Sequence, residues 1–553
     1  MNKIFIIGFF LSTLMISSCV KDLDVTPIDP SKVMAGNLND DPAYMQQALA
    51  KIYGSFTISG QGANGDPKPD DITASDGNFF TTSRALWNLQ EITTDEAICG
   101  WGDVGISDLN TQTWSPNNPF LTALYQRLSL SVTYANEFIR NTQASTDPTL
   151  MRYNAEARYL RALAYAWSMD LFANPAFTTE ADPVGKFFPK QLDPEMKAGR
   201  TKLFNYVVSE LKGIEGKLGE PKFSYPEADK AACWMLLARV YLNAEVYTGT
   251  AKWDSCKYYC DKVISSGKYS LATNYRQNFS ADNDGLHNPE MIFALAYDGI
   301  NTQGYTGTTF LIESSCDATY LRAEDVAGLT TNTNWNGNRS KKQFLWVLLG
   351  DTTAVYGNNP IPSTPGYIFN SASDPKIKDT RIFCKIKKQV DIPSASSSGD
   401  YGVGIFKFTA RNFNSSQAAN YSSAYASTDF PVFRLADAYL MRAEAKFRKG
   451  DLAGAVADIN VVRERAFGGT SGNITEAKLT ADFILAERGR EFYYEAQRRT
   501  DLVRFGKFTD GNYNWAWKGG LYNGTNTDKK LNVFPIPADE ISANSNIKQN
   551  TGY

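Results

Sequence analysis

The sequence predicts a mainly α-helical protein in which tetratricopeptide-like helical pairs form a scaffold, with long irregular loops and short strands on one side. Two observations support this fold class. Apolar residues recur at three- and four-residue steps in several separate stretches, which is the period of a helix with one buried stripe. Between these stretches lie long segments that are rich in Gly, Ser, Thr, Asn and Pro and have no sustained period.

The helical period is clearest where small and apolar residues share one face, as Ala157, Leu160 and Ala164 do. The helices predicted in this way are 154–172, 229–247, 253–264, 433–448, 452–466 and 477–503. The four in the middle form two consecutive pairs, and each pair spans about 34 to 37 residues, which is the spacing of tetratricopeptide repeats. Small residues in both pairs allow the helices to approach closely.

Helical pairs occur both before and after the irregular segments, so we expect one intertwined domain over residues 19–553. Its helical frame is predicted at about 120–270 and 430–505. Its loops are predicted at about 54–119 and 270–430. Because frames carry stability and loops carry function, we expect a ligand to be bound by the loops.

Residues 1–18 have the features of a lipoprotein signal peptide, because Lys3 precedes an apolar run much shorter than the roughly 20 residues of a membrane span. The run ends in a segment that resembles a bacterial lipobox, which implies that Cys19 carries the lipid anchor. Residues 20–24 resemble the surface-export signal of Bacteroidetes lipoproteins. We therefore expect a lipid-anchored, surface-exposed protein of the outer membrane. The alternative is ordinary secretory cleavage with Cys19 incidental.

Charge and composition exclude some functions. Lys and Arg number 56 against 59 Asp and Glu, for a formal charge of −3, so the chain lacks the basic excess that nucleic-acid binding needs. The single histidine, His287, excludes a multi-histidine metal site. Aromatic residues reach 13% of the chain and can serve as flat platforms for a ligand.

Several segments together resemble the SusD/RagB family of outer-membrane glycan-binding lipoproteins. They are 156–165, 433–445, 459–466, 487–502, 534–537 and 549–553. The resemblance implies a non-enzymatic surface lipoprotein that caps a SusC-like TonB-dependent transporter and holds oligosaccharides for import. Residues 27–30 and 515–520 are most similar to the starch-binding founder member, so we expect a glucan such as starch. Similar strings occur in relatives that take other glycans, which stay open as ligands.

The same resemblance places a sugar-binding arc of aromatic residues at Trp101, Tyr305 and Trp335. An indole or phenol ring can cover the apolar C–H face of a pyranose while the sugar hydroxyls seek hydrogen bonds at the rim. Polar contacts are implied from Arg84 and Asp103, although each aligns with the family only across a gap. The alternative for each aromatic residue is a packed loop side chain.

Three carboxylates on one predicted helix face, Glu487, Glu491 and Glu495, are the residue type that glycoside hydrolysis needs. Arginines lie within one or two turns of them, so we interpret them as a structural charge network. Tetratricopeptide pairs commonly dock peptides. A protein-interaction scaffold and a glycosidase therefore stay open as alternatives to glycan binding.

No cofactor is required by this interpretation, but the resemblance implies that a calcium ion can be bound. Asp282, Asp284 and Asp429 are its candidate ligands, because carboxylate oxygens suit Ca²⁺. The segment around Asp282 lacks the full acidic spacing of a calcium-binding hand.

Overall fold

Packed helices form the frame of the protein, and loops with short strands lie between them. The structure is a computed structural model that describes residues 39–60, 72, 80–330, 334–357 and 359–553. Its helices are α1 (Pro42–Gly54), α2 (Thr82–Trp87), α3 (Ile106–Thr111), α4 (Pro119–Thr142), α5 (Pro148–Phe172), α6 (Met196–Ile214), α7 (Lys230–Leu242), α8 (Ala244–Thr248), α9 (Trp253–Ser265), α10 (Gly307–Ser315), α11 (Ala323–Val326), α12 (Lys342–Leu349), α13 (Thr352–Tyr356), α14 (Leu435–Arg448), α15 (Leu452–Phe467), α16 (Ala481–Phe492), α17 (Arg498–Arg504) and α18 (Ala538–Ala543).

Local sequence signals start the two longest helices, α4 and α5. Asn118 and Asp147 each accept a backbone N–H at the helix start, and a proline follows each of them at the first helical position. The two helices pack against each other. The buried face of α5 includes the predicted stripe of Ala157, Leu160 and Ala164.

The later helices pack in succession, α7 with α9, α9 with α14, and α14 with α15. Small, fully buried side chains such as Ala438, Ala443 and Ala455 let these helices approach closely. The predicted mainly α-helical class with helical pairs is therefore confirmed.

Short antiparallel strands lie in the loop-rich parts. They are β1 (Ile98–Cys99), β2 (Met291–Leu295), β3 (Asn338–Arg339), β4 (Ile368–Phe369), β5 (Cys384–Ile386), β6 (Val403–Ile405) and β7 (Phe430–Arg434). β1 pairs with β3, β2 pairs with β7, and β4, β5 and β6 form a three-stranded sheet. Because β7 includes Phe433, the helix predicted from 433 begins at Leu435 instead.

The prediction of one long helix over 477–503 is wrong, because the chain breaks between α16 and α17. Tyr494 and Ala496 have left-handed backbone angles there, with φ of 63° and 57°. The Tyr494 N–H donates to the buried carboxylate of Glu96, and the Gln497 N–H donates to Glu91 Oε1 at 2.9 Å. These tertiary contacts replace the helical hydrogen bonds, so the helical sequence pattern does not decide the structure here.

Glu487, Glu491 and Glu495 are buried in a charge network, as predicted, but among the described residues Arg490 is the only arginine within one or two turns that pairs with them. Their ion-pair partners are Arg381, Arg463 and Arg490 for Glu487, Arg381, Arg434 and Arg465 for Glu491, and Lys407 and Arg434 for Glu495. Burial by itself would raise the pKa of Glu491, but its arginines outweigh burial and hold that pKa well below the usual range. Glu487, whose pKa is lowered by its arginines in the same way, and Glu491 therefore stay ionised and paired.

Some predictions concern the N-terminus. The signal peptide at 1–18, the anchor at Cys19 and the segment 20–24 lie outside the described residues. Among the helices that the structure describes, none combines the length and the apolar character that a bilayer crossing requires. Six cysteines of the described chain are free, buried thiols.

Arg434→Ala is expected to lower the free energy of unfolding by about 3–5 kcal/mol, because it leaves Glu290, Glu491 and Glu495 buried without this partner. Urea unfolding of the variant and the wild type measures the change. The control is Arg322→Ala, which removes an exposed pair with Asp325 and should cost at most about 1 kcal/mol. Equal losses in the two variants would contradict the structural role of the network.

Candidate ligand-binding site

The pairing of β1 with β3 brings Trp101 and Trp335 together, although 234 residues separate them. Beyond the strands, the Gly100 N–H donates to the Gly337 carbonyl at 2.9 Å. The Trp101 indole N–H then donates to the Trp335 carbonyl at 3.0 Å. The two ring centroids lie 6.3 Å apart with the ring planes at 51°.

Two tyrosines extend this pair into a series of four rings. Tyr305, just before α10, lies 5.5 Å from the Trp335 ring at an interplanar angle of 78°. Tyr425 lies 5.8 Å from Tyr305 at 40°. We call Trp101, Trp335, Tyr305 and Tyr425 the aromatic arc. Its three predicted members are half-buried, and because each ring is rotated against the next, the four rings do not lie in one plane.

The residue beneath the Trp101 ring, Gly337, must be a glycine. A Cβ added at Gly337 would lie 2.2 Å from Cε2 of the Trp101 ring, which no real Cβ tolerates. The indole therefore rests directly on the backbone that leads into β3. In contrast, a Cβ added at Gly102, beside Trp101 in the chain, would meet open space.

The two predicted polar residues differ in their placement. Arg84 on α2 is buried beneath the arc, where its Nη1 donates to the Tyr305 carbonyl at 2.9 Å. Its guanidinium carbon lies 4.3 Å from the Phe310 centroid and 5.5 Å from the Trp101 centroid. Arg84 thus supports the aromatic rings from below. Asp103 is exposed beside Trp101, and within the described chain its carboxylate accepts no hydrogen bond, so it can meet a ligand.

The end of α10 holds the Trp335 segment in place. The backbone N–H groups of Trp335 and Gly337 donate to the carbonyls of Glu313 and Ser314 at 2.9 and 2.8 Å. The Asn334 N–H donates to Glu313 Oε2 at 2.8 Å. Glu313 is fully buried, and burial raises its pKa to about 8, although the Asn334 N–H offsets part of that rise.

Each of the three predicted calcium ligands contacts another protein group in the structure. Asp282 accepts the Phe413 N–H at 2.8 Å, and Asp284 contacts the His287 imidazole at 2.8 Å. Asp429 is buried against Tyr225, and burial raises its pKa to about 7. Among the described residues, no group of three or more His, Cys, Asp or Glu side chains could hold a metal ion. Calcium binding at these residues stays an untested prediction.

Sequence reasoning missed Tyr425, Phe310 and Glu313. Tyr425 lies in an irregular segment, and nothing in the local pattern distinguishes it from the nearby Tyr421. Phe310 and Glu313 lie on α10, and their roles depend on contacts with Arg84 and Asn334 that are distant in sequence.

The fold and the arc define a class of protein in which a helical-repeat frame presents an aromatic candidate binding surface on its loops. A family model described as the SusD family matches residues 289–553. The chain is also 34% identical to the Starch-binding protein SusD of Bacteroides thetaiotaomicron, over 97% of this chain and 96% of that protein. The chain therefore belongs to the SusD family.

Solved structures agree with this fold. A SusD-like protein from Bacteroides fragilis has a TM-score of 0.67 at 18% identity, and the match covers 96% of this chain and 100% of that one. Surface glycan-binding protein A from Bacteroides thetaiotaomicron, in complex with laminarihexaose, has a TM-score of 0.62 at 18% identity, covering 92% and 99%.

Gly337→Ala is expected to displace the Trp101 ring and to lower the free energy of unfolding by about 1–3 kcal/mol, the usual effect of overpacking. Near-ultraviolet circular dichroism of the tryptophans and urea unfolding measure the two effects. The matched control Gly102→Ala should change stability by no more than about 0.5 kcal/mol. If the two variants behave alike, the close contact does not constrain Trp101.

Glu313→Gln is expected to gain stability relative to the wild type as the pH rises. In the wild type the folded pKa is about 8, against 4.5 as the ordinary value, so stability is lost progressively between these two pH values. The glutamine cannot ionise, yet its amide oxygen can still accept the Asn334 N–H. Melting temperatures of both proteins from pH 5 to pH 8.5 test this, and a difference that does not vary with pH would refute the raised pKa.

Proposed function

We propose that the protein binds a glycan at the cell surface through the aromatic arc and passes it to a TonB-dependent transporter. The observation that carries the proposal is the convergence of Trp101, Tyr305 and Trp335, from distant parts of the chain, into one half-exposed surface. A buried hydrophobic core would not leave these rings partly open to solvent. The curated relative that shares 34% identity is named for starch binding, which supports a glucan as the ligand.

The chemistry of the arc suits a sugar. A pyranose ring has apolar C–H faces and a rim of hydroxyls, and half-buried rings beside an exposed carboxylate such as Asp103 match both features. Because the rings do not lie in one plane, they suit a glycan that curves, as α-linked glucans do, better than a flat one. Starch is therefore the first ligand to test.

The expected affinity is weak. If each ring removes about 60–80 Å² of apolar area from water, it contributes roughly 1.5–2 kcal/mol. Association costs several kcal/mol, so a short oligosaccharide should bind with a Kd of about 0.1–1 mM. A long polysaccharide gains from many binding sites on a crowded surface.

We propose that the protein is not an enzyme. The helix carboxylates Glu487 and Glu491 are fully buried and held ionised by arginines, whereas glycoside hydrolysis needs one protonated carboxyl that reaches the substrate. This arrangement favours a structural role for that helix.

The family and the sequence support a proposed location and partner. We propose that Cys19 is lipidated and holds the protein on the outer surface of the outer membrane, with a SusC-like transporter as its partner. The family assignment supports this proposal, as does the lipobox-like end of the signal peptide.

Trp101→Ala and Trp335→Ala are each expected to weaken glucan binding roughly 10- to 30-fold, the equivalent of one lost ring contact. Isothermal titration of the chain without residues 1–19, with soluble starch and maltoheptaose, measures the loss. Tyr258→Ala is the matched control, because Tyr258 is an exposed aromatic residue on helix α9, outside the arc. Wild-type affinity in both tryptophan variants would refute the site. If the wild type binds no glycan on a glycan array, the proposed function fails, and the peptide-docking alternative takes its place.

A further inference from the structure

A second group of exposed aromatic side chains lies outside the arc. Trp346 is 44% exposed and Tyr522 is 47% exposed. Both line one cavity of about 150 Å³, together with Lys342, Gln343 and Asp391. A cavity of about this size can hold one six-membered ring.

Trp346 is presented by a helix whose other face is buried. Helix α12 buries Phe344, Leu345 and Leu348 in the core. Lys342 and Trp346, four residues apart, therefore share the outer face, where the Lys342 ammonium lies 5.5 Å from the indole centroid. The core contacts of α12 fix the helix that carries this indole.

Tyr522 is held by a tight turn. The Trp517 N–H donates to the Leu521 carbonyl at 2.9 Å, and Trp517 has a left-handed φ of 72°, which is uncommon for a residue other than glycine. The Trp517 indole N–H donates to the Ile392 carbonyl at 3.0 Å, and its ring meets Tyr522 edge to face at 5.7 Å. The turn thus fixes Tyr522 at the cavity.

The polar groups of the cavity suit a neutral ligand with hydroxyl groups. Lys342 and Asp391 form a half-exposed ion pair at 3.2 Å, so the two charges compensate each other. The Gln343 Oε1 is buried and accepts no hydrogen bond from the described part of the chain. Asn523 adds an exposed amide. A charged ligand would find no net opposite charge in the Lys342–Asp391 pair, whereas sugar hydroxyls can bond to Lys342, Asp391 and Asn523, which solvent reaches.

We propose that Trp346 and Tyr522 form a second sugar-binding site, which takes one pyranose unit of the same polysaccharide. This inference rests on the proposed function for the identity of the ligand. The site uses the same chemistry as the arc, an aromatic surface with hydrogen-bonding groups at its rim.

The loop between β5 and β6 adjoins both sites. On one side Lys387 donates to the Asn336 side chain at 3.0 Å, and Asn336 donates to Asp400 at 2.6 Å, next to Trp335 of the arc. On the other side Asp391 lines the second cavity. A polysaccharide long enough to reach both sites would gain affinity by engaging them together.

Fluorine NMR of fluorotryptophan-labelled protein tests the proposal directly. The chain has 10 tryptophans, and Trp101→Phe, Trp346→Phe and Trp253→Phe assign three of their resonances. On addition of maltoheptaose, or of the array glycan that the wild type binds, the Trp101 and Trp346 resonances should shift and that of Trp253 should not. The Trp346 resonance should still shift in a Trp101→Ala background.

The outcomes separate the two proposals. A Trp346 resonance that stays in place while Trp101 saturates overturns the second site and leaves the arc intact. If neither resonance moves with any glycan, both proposals are overturned. As a second measurement, Tyr522→Ala should weaken retention in polysaccharide-containing native gels about tenfold, while Tyr258→Ala should migrate like the wild type. Unchanged retention of Tyr522→Ala also counts against the second site.

Discussion

The antiparallel pairing of β1 with β3 is the contact on which the aromatic arc depends. Only two residue pairs form it, Ile98 with Arg339 and Cys99 with Asn338. The buried Arg339 side chain reinforces this pairing, because its guanidinium donates to the carbonyls of Gly337, Ser397 and Tyr401 at 3.0–3.2 Å. Burial lowers the pKa of Arg339 to about 10, so the side chain stays charged at neutral pH. Arg339 therefore joins the segment next to Trp335 to the loop before β6.

The helical frame fixes this contact from the other side. The segment that leads into β1 is attached to the break between α16 and α17, where Glu96 accepts from the Tyr494 backbone and Arg498 pairs with Asp95 at 2.7 Å. The buried glutamates of α16 connect this charged cluster to the rest of the frame through their own ion pairs. Frame and site are thus coupled, because the departure from helix in 493–497 contacts the segment that leads into β1, which ends two residues before Trp101.

Sequence periodicity predicted the helices that bury a continuous apolar stripe, such as α5 and α15. It could not predict the break at Tyr494, because the cause is a hydrogen bond to Glu96, 398 residues away. Trp101, Tyr305 and Trp335 of the arc were predicted from a family resemblance. Their mutual contacts depend on strand pairing that local sequence does not encode, and Tyr425 lies in a loop where single tyrosines look alike. The cavity beside Trp346 could not be predicted for the same reason, since its walls come from three separate segments of the chain.

The weak, modular sugar contacts that we propose would suit a protein that holds a long polymer and then releases it. The central claim is that the arc is where the sugar lies, and a crystal structure with bound maltoheptaose tests it most directly. The account predicts pyranose rings stacked on Trp101 and Trp335, with Tyr305 at the edge of the oligosaccharide. An oligosaccharide bound only on the helical pairs, with the arc bare, would contradict it.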